Sequence, residues 1–145
     1  PLYGGRPAMA RVLVIDDEPD VVWLCKLNLD YAGHEVIGAL DGERGLALAR
    51  EHRPDAVVID LILPAMDGYE VLRILELERA ACDVPLLVLT AKVRREDRIR
   101  CFRIGADAFL TKPFAPYELV ETLTELLQMG SEERAVRRAA ASAAR

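Results

Sequence analysis

Five short apolar segments, rich in valine, isoleucine and leucine, alternate along this 145-residue chain with longer segments of helical spacing. The strand candidates are Arg11–Ile15, Glu35–Ala39, Ala56–Ile59, Leu86–Leu89 and Ala108–Leu110, bounded by Asp, Gly or Pro. The first, third and fourth are almost continuously apolar, which calls for cover on both faces, as a parallel strand has between helix layers. Between them the spacing predicts helices over about Pro19–Ala32, Glu43–Glu51, Gly68–Arg79 and Glu96–Ile104, with a fifth starting near Pro116. Gly33 and Gly105 stand where helices should stop, and Pro116 suits a first helical turn. Strict alternation of this kind implies an open, mostly parallel α/β sheet with right-handed crossovers. In such a sheet, functional groups gather at the carboxyl ends of the strands, near the point where strand order reverses.

The residues at those ends are polar, and their kinds are informative. Asp16-Asp17-Glu18 follow the first strand, Asp60 the third, Thr90 the fourth and Thr111-Lys112 the fifth. Carboxylates sharing one pocket repel, so a cation sits among them or some hold protons. Oxygen ligands without a thiol or histidine cluster fit a hard ion, and Mg²⁺ is the natural candidate. Neutralised by Mg²⁺ and Lys112, such a pocket tolerates an incoming phosphoryl group. One carboxylate is then free to act as nucleophile and form an acyl phosphate, with cationic groups stabilising the equatorial oxygens. Asp60 lies between Ile59 and Leu61, a costly place for a charge that is neither used nor paired. Taken singly, the others have ordinary readings: Asp16 a helix cap, Thr90 a strand end, Lys112 a surface lysine, Phe109 core, and Asp67 a turn or cap.

Four pieces of sequence, in order, are Val14-Ile15-Asp16-Asp17-Glu18, Asp60-Leu61-Ile62-Leu63-Pro64-Ala65-Met66-Asp67-Gly68, Leu89-Thr90-Ala91 and Thr111-Lys112-Pro113-Phe114. Together they resemble the response-regulator receiver family of two-component signal transduction, over about Ala10 to Gly130. The resemblance implies a CheY-like, flavodoxin-like (βα)5 fold with strand order 2-1-3-4-5 and helices on both faces. It makes Asp60 the phosphoacceptor, and places Mg²⁺ on Asp17 directly, on Asp16 through water, on Asp60 and on the backbone carbonyl of Ile62. Lys112 would pair with the phosphoryl group, Thr90 would be the switch hydroxyl and Phe109 the switch aromatic, and the bond before Pro113 would be cis. The implied donor is a histidine kinase or phosphotransfer protein. An output domain or downstream effector would read the face made by the fourth helix, fifth strand and fifth helix. Such a chain is a signalling switch that catalyses only its own phosphoryl chemistry.

Departures from the pattern carry expectations of their own. Phe109 has no hydroxyl, so its rotation is read by packing. Ile62 stands two residues beyond Asp60 and Lys92 two beyond Thr90, positions that border the path of attacking water in similar proteins, and a bulky Ile62 implies slow self-dephosphorylation. The run Lys112-Pro113-Phe114 followed by Glu118-Leu119 resembles the winged-helix transcription-factor branch, which dimerises. Ala108 and Thr122 stand where that branch has Asp and Arg, so a monomer or weak dimer is expected, with Arg98, Arg100 and Glu121 left for another pairing. An aspartyl-phosphate hydrolase would carry a second Asp at Ile62, and a flavin-phosphate module would not place Asp16-Asp17-Glu18-Pro19 where phosphate must sit. A degenerate receiver that only binds partners is the remaining alternative.

Bulk properties agree with a soluble globular domain: 52% hydrophobic and 30% charged residues. The longest apolar runs, such as Val12–Ile15, are far short of the roughly 20 residues that cross a bilayer. No secretory signal pattern opens the chain, so a cytoplasmic location is expected, with no membrane partner. Cys25, Cys82 and Cys101 are odd in number and lack a Cys-x-x-Cys pair, which fits reduced thiols. The net charge of −5 conceals a basic tail, where Arg134, Arg137, Arg138 and Arg145 outnumber Glu132 and Glu133. The remaining body is acidic, which disfavours direct nucleic-acid binding. Residues 1–8 read as a tag remnant or unstructured lead. Residues 131–145 read either as a helical extension, helped by Glu133 and Arg137 at i,i+4, or as the beginning of a linker.

Overall fold

Alternation along the strands decides the layering. In the computed structural model, which describes residues 9–79 and 83–143, β1 (Arg11–Ile15), β2 (Glu35–Ala39), β3 (Ala56–Ile59), β4 (Leu86–Thr90) and β5 (Ala108–Thr111) form one parallel sheet in the order β2-β1-β3-β4-β5. Successive side chains of a strand point to opposite faces. Leu13, Ile15, Val57, Ile59, Leu86 and Val88 therefore pack on one side, with Leu46, Leu72 and Cys101. Val12, Val14, Val58, Leu87 and Leu89 pack on the other, with Cys25, Leu29, Leu119 and Leu123. That sorts α2 (Gly42–His52), α3 (Gly68–Glu78) and α4 (Arg95–Ile104) to the first face, and α1 (Pro19–Tyr31) and α5 (Pro116–Gln128) to the second. The three strands with continuous apolar runs are the ones buried on both sides.

Local chemistry fixes the helix ends near the expected places. Pro19 opens α1, Asp41 caps α2 by accepting from the Arg44 N–H at 2.7 Å, and Asp67 caps α3 by accepting from the Tyr69 N–H at 2.9 Å. Gly105, at φ 145°, ends α4 in a conformation that side chains avoid. Strands β4 and β5 each run one residue further than the apolar runs, taking in Thr90 and Thr111. Cys25 and Cys101 are buried free thiols on α1 and α4, whereas Cys82 and the lead of residues 1–8 lie outside the described residues. Among the described residues no helix is long and apolar enough to cross a membrane.

Residues Ser131–Ser142 form a sixth helix, α6, separate from α5 because Met129 and Gly130 are extended between them. The i,i+4 pairing expected of Glu133 and Arg137 is replaced: Arg137 reaches across to Glu125 of α5, Nη1 to Oε1 at 3.1 Å. A tertiary partner wins because α6 turns back onto the domain and packs against α4.

Gly68 shows how tightly the loop after β3 is folded. A Cβ there would sit under 3.0 Å from the backbone of Leu61, whose carbonyl accepts the Gly68 N–H at 3.2 Å. Backbone cannot swing aside as a side-chain tip can. Gly68→Ala is expected to destabilise by about 1–3 kcal/mol, the usual range of overpacking costs, read as a lowered urea midpoint. An unchanged midpoint would mean that the loop carrying Asp60 onward shifts freely.

Candidate functional site

Register delivers the site. Ile15 pairs with Ile59 across β1 and β3, so Asp16 and Asp60, each one residue past its strand, emerge side by side at the carboxyl edge. This is where strand order reverses, since β1 has β2 on one side and β3 on the other. Thr90 pairs with Thr111 at the same edge, and the next residue, Lys112, donates its N–H to the Thr90 carbonyl at 2.9 Å. The Lys112–Pro113 peptide is cis.

Lys112 binds the acids together. Its Nζ lies 2.7 Å from Asp16 Oδ2, 2.8 Å from Asp60 Oδ2 and 2.9 Å from Glu18 Oε1. Asp16 and Asp60 are buried, at 2% and 3% exposure, while Asp17 and Glu18 face solvent. One carboxylate oxygen from each of Asp16, Asp17, Glu18 and Asp60 falls within 4.8 Å of the others. The second oxygens are also used: Asp16 Oδ1 accepts from the Glu18 N–H at 2.9 Å and Asp60 Oδ1 from the Ile62 N–H at 3.1 Å.

The charges respond to this crowding. Burial pushes the Asp16 carboxyl above its ordinary value; the Lys112 ammonium and the Glu18 N–H pull the other way, and Asp60 adds repulsion. For Lys112, burial is the largest single influence and lowers it, but hydrogen bonds to Asp16, Asp60 and Glu18 together outweigh it, and the net shift is upward. The ammonium thus acts as an internal cation for the cluster. Four carboxylates and no imidazole or thiol form a donor set that fits a hard divalent ion, with Asp17 and Glu18 open to water for partial coordination.

Thr90 is fully buried, and its Oγ1 accepts from the Lys92 N–H at 3.2 Å, which ties it to the loop leading into α4. Ile62 is exposed at 53%. Phe109 is not part of the acidic cluster. It is half-buried on the edge strand β5 against the α3–α4 side of the core, with the Arg98 guanidinium 5.5 Å from its ring centre.

Similarity to known proteins follows the same geometry. The profile of the response regulator receiver domain family matches residues 12–124. The chain belongs to that family. The receiver domain is 42% identical over 120 residues to the DNA-binding dual master transcriptional regulator RpaA of Synechocystis sp., a match covering 83% of this chain and 50% of that protein. It is 39% identical over 118 residues to the alkaline phosphatase synthesis transcriptional regulatory protein PhoP of Bacillus subtilis, covering 81% and 48%. The chain thus spans about half the length of these relatives. Among solved structures, the chemotaxis response regulator CheY4 of Vibrio cholerae superposes with a TM-score of 0.76 at 33% identity, covering 81% of this chain and 98% of that one. A CheY-like receiver domain protein of Methanospirillum hungatei gives 0.77 at 28%, covering 87% and 96%. This receiver domain is therefore a signalling module rather than a conventional enzyme, with the acidic cluster typical of the family's Mg²⁺ site.

Sequence reasoning saw the acids and Lys112 but assigned no role to Glu18, whose place in an unbroken run of three acids was the available signal. It also missed two buried polar contacts beside α4 and β5. The Tyr69 hydroxyl donates to Asp97 Oδ1 at 2.5 Å, joining α3 to α4. Asp107, just before β5, accepts the Leu86 N–H at 2.9 Å and faces Arg79, Arg134 and Arg138.

Proposed function

We propose that this receiver domain, spanning residues 9–130, is a cytoplasmic phosphorylation switch whose phosphoacceptor is Asp60. The observation that carries the reading is the Lys112 ammonium held at 2.8 Å from Asp60 in a cluster of carboxylates. A histidine kinase or phosphotransfer protein presents phosphohistidine. An Asp60 oxygen attacks phosphorus, the P–N bond breaks with its electron pair going to the imidazole, and an acyl phosphate forms. Lys112 moves from the carboxylates to the arriving oxygens and stabilises their charge. Asp17 would hold Mg²⁺ directly, Asp16 through water, and Asp60 and the Ile62 carbonyl would complete the protein ligands; the bound ion supplies further neutralisation of phosphoryl charge. Thr90 then turns toward a phosphoryl oxygen, Phe109 follows inward, and the face of α4, β5 and α5 changes for an output domain or effector. The change is a shift of population, set by how much better the phosphoryl group fits one state.

Incubation with Mg²⁺ and acetyl phosphate, followed by intact mass, tests this. A single phosphoryl adduct that needs Mg²⁺ and is absent from Asp60→Asn is expected. A folded, Mg²⁺-binding chain that takes no adduct would leave only a partner-binding role.

A further inference from the structure

We propose that α6 is a displaceable cover on the face formed by α4, β5 and α5, and that its docking opposes phosphorylation at Asp60. The inference rests on Asp60 being the phosphoacceptor. β5 is one of the two edge strands of the sheet, elements that proteins shield. Here α6 packs on α4, and its Arg137 and Ala141 border Phe109 and Leu110 of that strand across a cleft. A cleft of about 250 Å³ lies at the join, bordered by Phe102, Phe109 and Leu110 on the domain side, Thr122 on α5, and Arg137 and Ala141 on α6.

The attachment is ionic rather than apolar. α6 is mostly alanine and arginine, and its largest apolar side chain, Val136, points outward at 70% exposure. Its anchor is Arg134, buried at 3%, which donates from Nη1 to the Met129 carbonyl at 2.9 Å and places Nη2 2.5 Å from Asp83. Arg138 reaches Asp107, and Arg137 reaches Glu125. A helix held by a few ion pairs and small side chains belongs to the low-stability end of a fold, from which moving elements are drawn.

The docked helix also borders the switch ring, because Phe109 lines the cleft together with Arg137 and Ala141. Asp107 immediately precedes β5, which carries Phe109 two residues on and leads into Lys112. Thr90 is engaged by the Lys92 N–H at the entrance to α4, and Arg98 of α4 lies over Phe109. Rotation of Thr90 toward a phosphoryl oxygen breaks the first contact, and inward movement of Phe109 breaks the second. Inward movement of Phe109 withdraws one wall of the cleft that Arg137 and Ala141 of α6 border, so the docked helix favours the ring where it stands. By linkage the effect is reciprocal: what loosens α6 tightens the phosphorylated state. A partner that reads the face gains access as α6 leaves.

Hydrogen exchange on the whole chain, with Mg²⁺ and beryllofluoride as a stable phosphoryl mimic, reads the cover directly. Amides over 134–141 are expected to exchange about tenfold faster with the mimic bound, within the usual range of such couplings. Arg138→Met, which removes a rim contact while Arg134 and Arg79 keep Asp107 paired, is expected to lower the half-saturating beryllofluoride concentration by about fivefold. Arg134→Met, which removes the buried anchor, acts in the same direction more strongly. Exchange in α6 that stays constant or slows while the site is filled overturns the proposal, as does a variant that frees α6 without tightening the mimic. A chain that neither binds beryllofluoride nor forms the Asp60 adduct overturns the phosphoacceptor reading itself, and this inference falls with it.

Discussion

Asp107→Ala will destabilise the fold by about 3–5 kcal/mol, the range expected when one partner of a buried ion cluster is removed and the others are left behind. The carboxylate is 3% exposed and stands among three guanidiniums. Arg79 Nη1 lies 3.2 Å from Asp107 Oδ2, Arg134 Nε 3.7 Å from Oδ1, and Arg138 contacts the same oxygen. Burial already pushes the Arg79 guanidinium down from its ordinary value, with Asp107 and then Glu76 pulling it back. Removing Asp107 leaves the three cations, among the described residues, with Glu76 and Asp83 as their remaining acidic partners. The Glu76 contact, at 2.8 Å, compensates Arg79 alone, and among the described residues Arg138 pairs with no acid but Asp107.

A second loss adds to the first, because the buried Leu86 N–H donates to Asp107 Oδ2. Asp107→Asn separates the two: the amide oxygen still accepts from Leu86 while the charge is gone. Asparagine should therefore recover about 1–3 kcal/mol of the alanine loss, the usual cost of an unsatisfied buried donor. Urea unfolding of both variants gives the comparison, and the alanine variant should also show a smaller m, since α6 detaches before the main transition. Equal midpoints for wild type and alanine would mean that water solvates the arginines as well as Asp107 does.

What could be read from the chain, and what could not, divides along these contacts. Asp16, Asp60 and Lys112 were legible because each is a polar residue placed at the end of an apolar strand, and parallel pairing then leaves them no other edge to occupy. The layers were legible for the same reason, since Leu13 and Val14 must face opposite ways once β1 is a strand. Arg134 gave no such signal. In an alanine- and arginine-rich tail it looks like a solvated charge, and its burial depends on Asp83 and Asp107, acids of separate loops that only the folded sheet brings near. Arg137 makes the point from the other side: its local partner Glu133 was available, but docking of α6 put Glu125 in reach. Asp97 reads as a favourable acid in the first turn of α4, yet it is buried to accept from Tyr69. Period and propensity locate elements; they do not say which surface residues a later helix will cover.

Lys112→Met should produce a domain whose stability depends on Mg²⁺ and on mild acid. At neutral pH the variant leaves Asp16 and Asp60 buried and facing each other without the ammonium, at a cost of about 3–5 kcal/mol. The sign of the pH effect follows from Asp16. Its carboxyl is already raised, first by burial, and losing Lys112 removes the main opposing influence, so it rises further. A carboxyl raised in the folded state stabilises below the unfolded value, near 3.8, and that contribution is lost as pH rises through the folded value. The deficit of the variant against wild type should therefore be larger at pH 7.5 than at pH 5. Wild type should show the same slope more weakly, because Lys112 stays charged throughout this window, its own shift being upward. Mg²⁺ should act more strongly on the variant, since in wild type the ion must compete with an ammonium 2.7 Å from Asp16. Saturation to a hundred times the dissociation constant returns about 2.7 kcal/mol, enough to restore most of the loss at neutral pH. Urea unfolding at the two pH values, with and without Mg²⁺, measures all of this. A deficit that is the same in all four conditions would assign the role of Lys112 to the packing of its alkyl stem, and would remove the reason for regarding it as the cluster's internal cation.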